Sequence, residues 1–143
     1  GIGKTSFIKS LEKSLGNTAI FIQFSPWLSL GRSSLLQGFA DSIKAKLAKF
    51  DYSLASDLDQ YIASLINIEK NANTNVIELL DQFLPRNGDF DSIDRSISRI
   101  QKRVVIFIDD LDRLDSKEIV EVLKLIRNTA NFGNVIYVSC YDK

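Results

Sequence analysis

Two stretches of this 143-residue chain carry side chains that could do chemistry, and they lie near opposite ends. The first is Gly1-Ile2-Gly3-Lys4-Thr5-Ser6 and the second is Asp109-Asp110-Leu111-Asp112-Arg113. Gly3-Lys4-Thr5 matches the second half of the pattern Gly, four residues, Gly, Lys, Ser or Thr, whose first glycine would lie before residue 1. A glycine at position 3 lets the backbone pass close to phosphate oxygens. The amides of Gly3 to Ser6 at a helix N-terminus favour an anion through unpaired N–H groups and the helix dipole. Gly1, Gly3, Lys4, Thr5 and Ser6 are therefore the candidate phosphate contacts. Lys4 is placed to reach the β- and γ-phosphates, and the Thr5 hydroxyl to ligate Mg²⁺. The bland alternative is a glycine turn leading into a helix.

The second stretch follows five consecutive apolar residues, Val104-Val105-Ile106-Phe107-Ile108. That run predicts a parallel strand buried on both faces. Carboxylates at its end need a cation or water, and ligands bind at the carboxyl edge of such sheets. Asp109 is placed to hold Mg²⁺ through its waters, and Asp110 to orient or deprotonate an attacking water. An Asx-type turn with an acidic cap is the alternative. Together the two stretches read as halves of one Mg-nucleotide site. No Asn-Lys-x-Asp stretch occurs, so ATP rather than a guanine nucleotide is expected.

The elements between them must position these halves. Ser6 to Leu15 reads as a helix stopped by Gly16-Asn17, and Thr18 to Phe24 as a strand ended by Ser25-Pro26-Trp27. Leu35, Leu36, Phe39, Ile43 and Leu47 form one helical stripe, and Leu54, Leu58, Ile62, Leu65 and Ile66 another. Asn75 with Glu78 suggests a capping box, Asn87-Gly88-Asp89 a turn, and Phe90, Ile93, Ile97 and Ile100 a third stripe. Asp115 with Glu118 suggests a second capping box. It opens a helix with Ile119, Leu123, Ile126 and Ala130 on one side. Val135 to Val138 is a final strand. The fold class expected is α/β, a three-layer parallel sheet with a helical insert. The division is residues 1–32, 33–102 for the insert, and 103–143.

Composition narrows the function classes. Eighteen basic residues offset eighteen acidic ones, so no general nucleic-acid footprint is present. No apolar run approaches the roughly 18 residues of a spanning helix. With no histidine and one cysteine, Cys140, a thiolate zinc cluster and a Cys-His or Ser-His pair are excluded. Cys140 itself reads as a small buried hydrophobe. The basic residues Arg95, Arg99, Lys102 and Arg103 read as a solvated face.

Gly-Ile-Gly-Lys-Thr-Ser-Phe, then Phe24-Ser25-Pro26-Trp27, then Phe107-Ile108-Asp109-Asp110-Leu111-Asp112-Arg113-Leu114, then Tyr141-Asp142-Lys143 resembles the KAP family of P-loop NTPases. The resemblance spans nearly the whole chain. It implies an ATPase of the additional-strand class, with the final strand between the phosphate-loop strand and the acidic strand. It also implies phosphate contact by Lys4, Mg²⁺ at Thr5 and Asp109, and water activation by Asp110. A polar residue at the tip of the final strand, Ser139 or Asp142, would sense the γ-phosphate. With amphipathic helices where many members carry membrane segments, the chain resembles a cytoplasmic, soluble member. A piece lacking the phosphate-loop strand is expected to bind nucleotide poorly and to be inactive alone.

The expected activity is ATP hydrolysis that drives or switches an attached protein effector, with self-association an open option. A nucleotide-held switch with little hydrolysis is the alternative, because the family's related ATPases carry Glu where Asp110 stands. A third reading treats the helices of 33–102 as a protein-interaction scaffold. Arg113 is expected to anchor the acidic loop on Asp109, Asp112 or Asp115, or to stabilise transition-state charge. Trp27 is expected in the core, or else at a pocket mouth.

Overall fold

The computed structural model describes residues 2–30, 35–72, 88–129 and 132–140. Three parallel strands form the sheet, in the order β1 (Ala19–Phe24), β2 (Arg103–Ile108) and β3 (Val135–Ser139). β2 is central. Its residues Val104 to Ile108 are all buried, as a run without alternation requires when helices cover both faces.

Side chains alternate across the strands, and the two faces pack differently. Ile20, Ile22, Phe24, Val104, Ile106 and Ile108 face the larger core. They meet Leu35, Phe39, Ile43 and Leu47 of α3 (Leu35–Leu47), Leu54 and Leu58 of α4 (Tyr52–Ala72), and Ile93 and Ile97 of α5 (Gly88–Arg99). Val122 of α6 (Ser116–Thr129) joins the same cluster. On the opposite face Val105 and Phe107 pack on Ile8 of α1 (Ile2–Leu15), with Leu11, Phe21 and Val138 around them. Phe21 stacks on Phe107 at 5.8 Å between ring centroids. The result is helix, sheet, helix: the expected three-layer parallel α/β arrangement.

Several local expectations change. α1 opens at Ile2 rather than Ser6, so Gly3, Lys4 and Thr5 form its first turn. β1 ends at Phe24, and Pro26 then opens a short helix α2 (Pro26–Leu30), using the position where a missing N–H costs nothing. Gly88 and Asp89 begin α5 instead of a turn. In α6 the core stripe is Ile119, Val122 and Ile126, while Leu123 is exposed because it lies a further 100° or so around the helix. Cys140 follows β3 partly buried rather than fully so. The Asn75–Glu78 capping box lies outside the described residues, and so do the side chains of Ile62, Leu65 and Ile66 in the second stripe.

The Asp115 capping box forms with both halves. Asp115 Oδ1 accepts the N–H groups of Lys117 and Glu118 at 2.8 and 2.9 Å, and Glu118 Oε2 accepts the Asp115 N–H at 2.8 Å. Asp115→Ala removes the acceptor for two otherwise unpaired amides, and is expected to lower stability by about 1 kcal/mol. Urea unfolding reads this, with Asp115→Asn as the near-neutral control. An unchanged midpoint in the alanine variant would show that the cap contributes nothing. Among the described residues no helix is long and apolar enough to cross a membrane.

Candidate nucleotide site

All three strands run the same way, so their carboxyl ends meet at one edge. Phe24, Ile108 and Ser139 lie in one row across the sheet. The next residues, Ser25, Asp109 and Cys140, stand on the rim. The Asp109 N–H donates to the Phe24 carbonyl at 3.0 Å, carrying the ladder one step past the strands. The N-terminal end of α1 reaches the same edge, because Ile8 seats the helix on Val105 and Phe107.

Asp109 is partly buried, and each of its carboxylate oxygens accepts one hydrogen bond. Its Oδ1 accepts the Asp110 N–H at 2.8 Å, and its Oδ2 accepts Gln23 Nε2 at 3.3 Å. The chain then turns sharply, with Asp110 in the left-handed region at φ 57°. That conformation is costly for most residues but is tolerated by Asp. A 3₁₀ turn, Leu111–Arg113, follows, anchored by the buried side chains of Leu111 and Leu114.

Asp110 is held from two sides. Ser25 Oγ donates to its Oδ2 at 3.1 Å, and Arg113 Nε lies 3.3 Å from its Oδ1. Arg113 therefore anchors the acidic loop, but on Asp110 rather than on Asp109, Asp112 or Asp115. The tight turn is the reason, since it brings residues three apart onto one side. The Arg113 guanidinium also lies over the Trp27 ring, 5.0 Å from its centroid. Trp27 is 44% exposed at the rim of the site and is not a core residue.

Lys4 reaches from α1 to the acidic loop, with Nζ 3.5 Å from Asp112 Oδ1. A main-chain hydrogen bond at its own residue holds the Asp112 carboxyl below the usual carboxylate range. Desolvation opposes this, and the Lys4 charge supports it. The structure thus brings the two sequence motifs into contact. Gly3, Thr5 and Ser6 are exposed in the first turn of α1, and among the described residues nothing lies within 4 Å of where a Gly3 Cβ would stand. Ser139 is exposed at the tip of β3, beside Ile108. Gly1 and Asp142 lie outside the described residues.

Reading the sequence alone missed Ser25, Gln23 and the Lys4–Asp112 pair. Ser25 was within reach of that logic, because it too is the first polar residue beyond an apolar strand. Its partner depends on register, which no local pattern carries.

Neither the curated proteins nor the solved structures offer a match to this chain. A family profile does match, described as the KAP family P-loop domain and covering residues 1–143. With the glycine-lysine helix start and the acidic strand end in contact at one sheet edge, the chain belongs to the KAP family of P-loop NTPase domains.

Proposed function

We propose that this domain binds ATP with Mg²⁺ at the carboxyl edge of the sheet and hydrolyses it, and that the cycle switches an attached protein effector. The observation that carries the proposal is the approach of Lys4 to the acidic loop. It puts a cation on a helix N-terminus beside a row of carboxylates, the charge arrangement a Mg-nucleotide needs.

The amides of Gly3 to Ser6 bind the phosphates, and Gly1 continues the loop that cradles them. Among the described residues nothing lies within 4 Å of where a Gly3 Cβ would stand, so that face of the helix start has room for a phosphate. Lys4 leaves Asp112 for the β- and γ-phosphates. Thr5 and Asp109 would hold the Mg²⁺, since a hydroxyl and a carboxylate are the hard oxygen ligands that Mg²⁺ takes while keeping several waters. When bound, the ion neutralises charge on the phosphate oxygens. Asp110 accepts the proton of the attacking water, since its oxygens keep lone pairs beyond those given to Ser25 and Arg113. Ser139 at the β3 tip, or Asp142 beyond it, senses the γ-phosphate.

The strand order supports the additional-strand class: β3 lies on the side of β2 away from β1, and among the described residues no strand pairs with its outer edge, where that class puts the phosphate-loop strand. The helices α3, α4 and α5 then belong to an insert, read as residues 33–102.

The test is phosphate release from MgATP in a single turnover by the full-length protein. Release at a rate above solvent background supports the proposal, and binding without release overturns the hydrolytic part. The second outcome is the signature of a nucleotide-held switch. That reading draws on the engagement of both Asp110 oxygens by Ser25 and Arg113.

A further inference from the structure

Ser25, Trp27 and Arg113 have no role in the nucleotide chemistry above, yet they form a connected chain of contacts ending on Asp110. Ser25 and Trp27 come from the β1–α2 junction, and Arg113 from the turn after β2. Ser25 Oγ donates to Asp110 Oδ2 at 3.1 Å, Arg113 Nε meets Oδ1 at 3.3 Å, and Trp27 supports the guanidinium at 5.0 Å. Stability does not account for this arrangement. The Arg113 side chain is 54% exposed, and exposed ion pairs add little to folding. A tryptophan ring left at the surface with a cation on its face has the geometry of a support for that cation.

Asp110 also needs support. It stands in a left-handed conformation on a tight turn, and its short side chain gives the carboxylate little reach. A small rotation would move its oxygens away from a water at the γ-phosphate. We infer that Arg113, seated on Trp27, and Ser25 are positioning residues that fix the aim of the Asp110 carboxylate, so that the β1–α2 junction sets the hydrolysis rate. Ser25 fixes one oxygen and Arg113 the other, and together they prevent rotation about the Cβ–Cγ bond. Movement of the junction by an effector would change the rate without touching the nucleotide. The inference rests on Asp110 being the water-activating group.

The experiment uses the full-length protein and separates rate from affinity. Single-turnover hydrolysis and the ATP dissociation constant are measured for Trp27→Ala, Trp27→Phe, Arg113→Lys and Asp110→Asn, and for Trp27→Ala combined with Asp110→Asn. Trp27→Ala and Arg113→Lys are expected to slow hydrolysis roughly tenfold with ATP affinity within about twofold, a milder case of the loss that misplacing a catalytic group causes. Lysine does not rescue, because it lacks the planar group that stacks and donates in a fixed direction. Trp27→Phe keeps an aromatic face and restores most of the rate. In the Asp110→Asn background the Trp27→Ala change has no further effect.

A second readout needs no nucleotide. The Trp27 indole N–H signal in a ¹⁵N NMR spectrum, identified by its loss in Trp27→Phe, shifts in Arg113→Ala and in Asp110→Ala. A wild-type rate in Trp27→Ala beside an inactive Asp110→Asn overturns the inference alone. So does a faster Trp27→Ala, which would make the contact a brake, or an indole signal that does not move. A wild-type rate in Asp110→Asn overturns the assignment of Asp110 itself, and the positioning role with it.

Discussion

Asp110→Asn is expected to keep MgATP bound while hydrolysis falls about 10²- to 10⁴-fold, the range for removing a positioned general base. The substitution preserves shape. An asparagine can turn its carbonyl oxygen to Arg113 and its amide to the Ser25 hydroxyl, which also accepts, so both contacts at 3.3 and 3.1 Å persist. What is lost is the negative charge and the ability to take a proton. Asp109, with its own partners in Gln23 and the Asp110 N–H, is left in place for the metal. Affinity should therefore change little while the chemical step fails. Quench-flow phosphate release beside equilibrium nucleotide binding reads the two separately. Equal hydrolysis by both proteins would remove Asp110 from the mechanism.

Lys4→Ala is expected to weaken ATP binding about 10- to 100-fold, as loss of a hydrogen bond to a charged group worth about 1.5–3 kcal/mol requires. The same change should barely affect folding. The Lys4–Asp112 pair spans 3.5 Å with the Lys4 side chain 13% and Asp112 43% exposed, and a partly exposed pair contributes about 1 kcal/mol. Lost binding with an unchanged melting temperature thus points to phosphate contact. Asp112→Asn is the control. It frees Lys4 from one carboxylate without removing its charge, so ATP affinity should hold or rise slightly. Isothermal titration calorimetry distinguishes the outcomes. Undiminished affinity in Lys4→Ala would show that Lys4 serves only the acidic loop.

Much of the scaffold was legible from residue order. The unbroken apolar run Val104 to Ile108 is the central buried strand because only a strand covered on both faces has no polar side. The spacing of Leu35, Phe39, Ile43 and Leu47, and of Ile93 and Ile97, marks the buried faces of α3 and α5. The Asp115–Glu118 box forms as its spacing predicts. These signals are local: each depends on residues a few positions apart, where periodicity and capping act. The same holds for the glycine-lysine start and the acidic strand end, each of which stands out by residue type and spacing.

Partnership was decided by tertiary structure. Arg113 had three plausible acidic partners within its own loop and took a fourth, Asp110, because the turn after Ile108 is 3₁₀ and Asp110 adopts φ 57°. Trp27 follows a buried strand, a position from which an aromatic ring often packs inward. Instead Pro26 opens a helix at the sheet rim and leaves the ring facing Arg113. Leu123 and Val122 are equally apolar neighbours, and only the orientation of α6 against the sheet settles which one is buried. Lys4 meets Asp112 because Ile8 seats α1 over Val105 and Phe107. Sequence alone marked the polar residues at the helix start and the strand end and most of the elements that carry them. Strand register, helix rotation and turn geometry decided which side chains meet, since those depend on contacts between residues far apart in the chain.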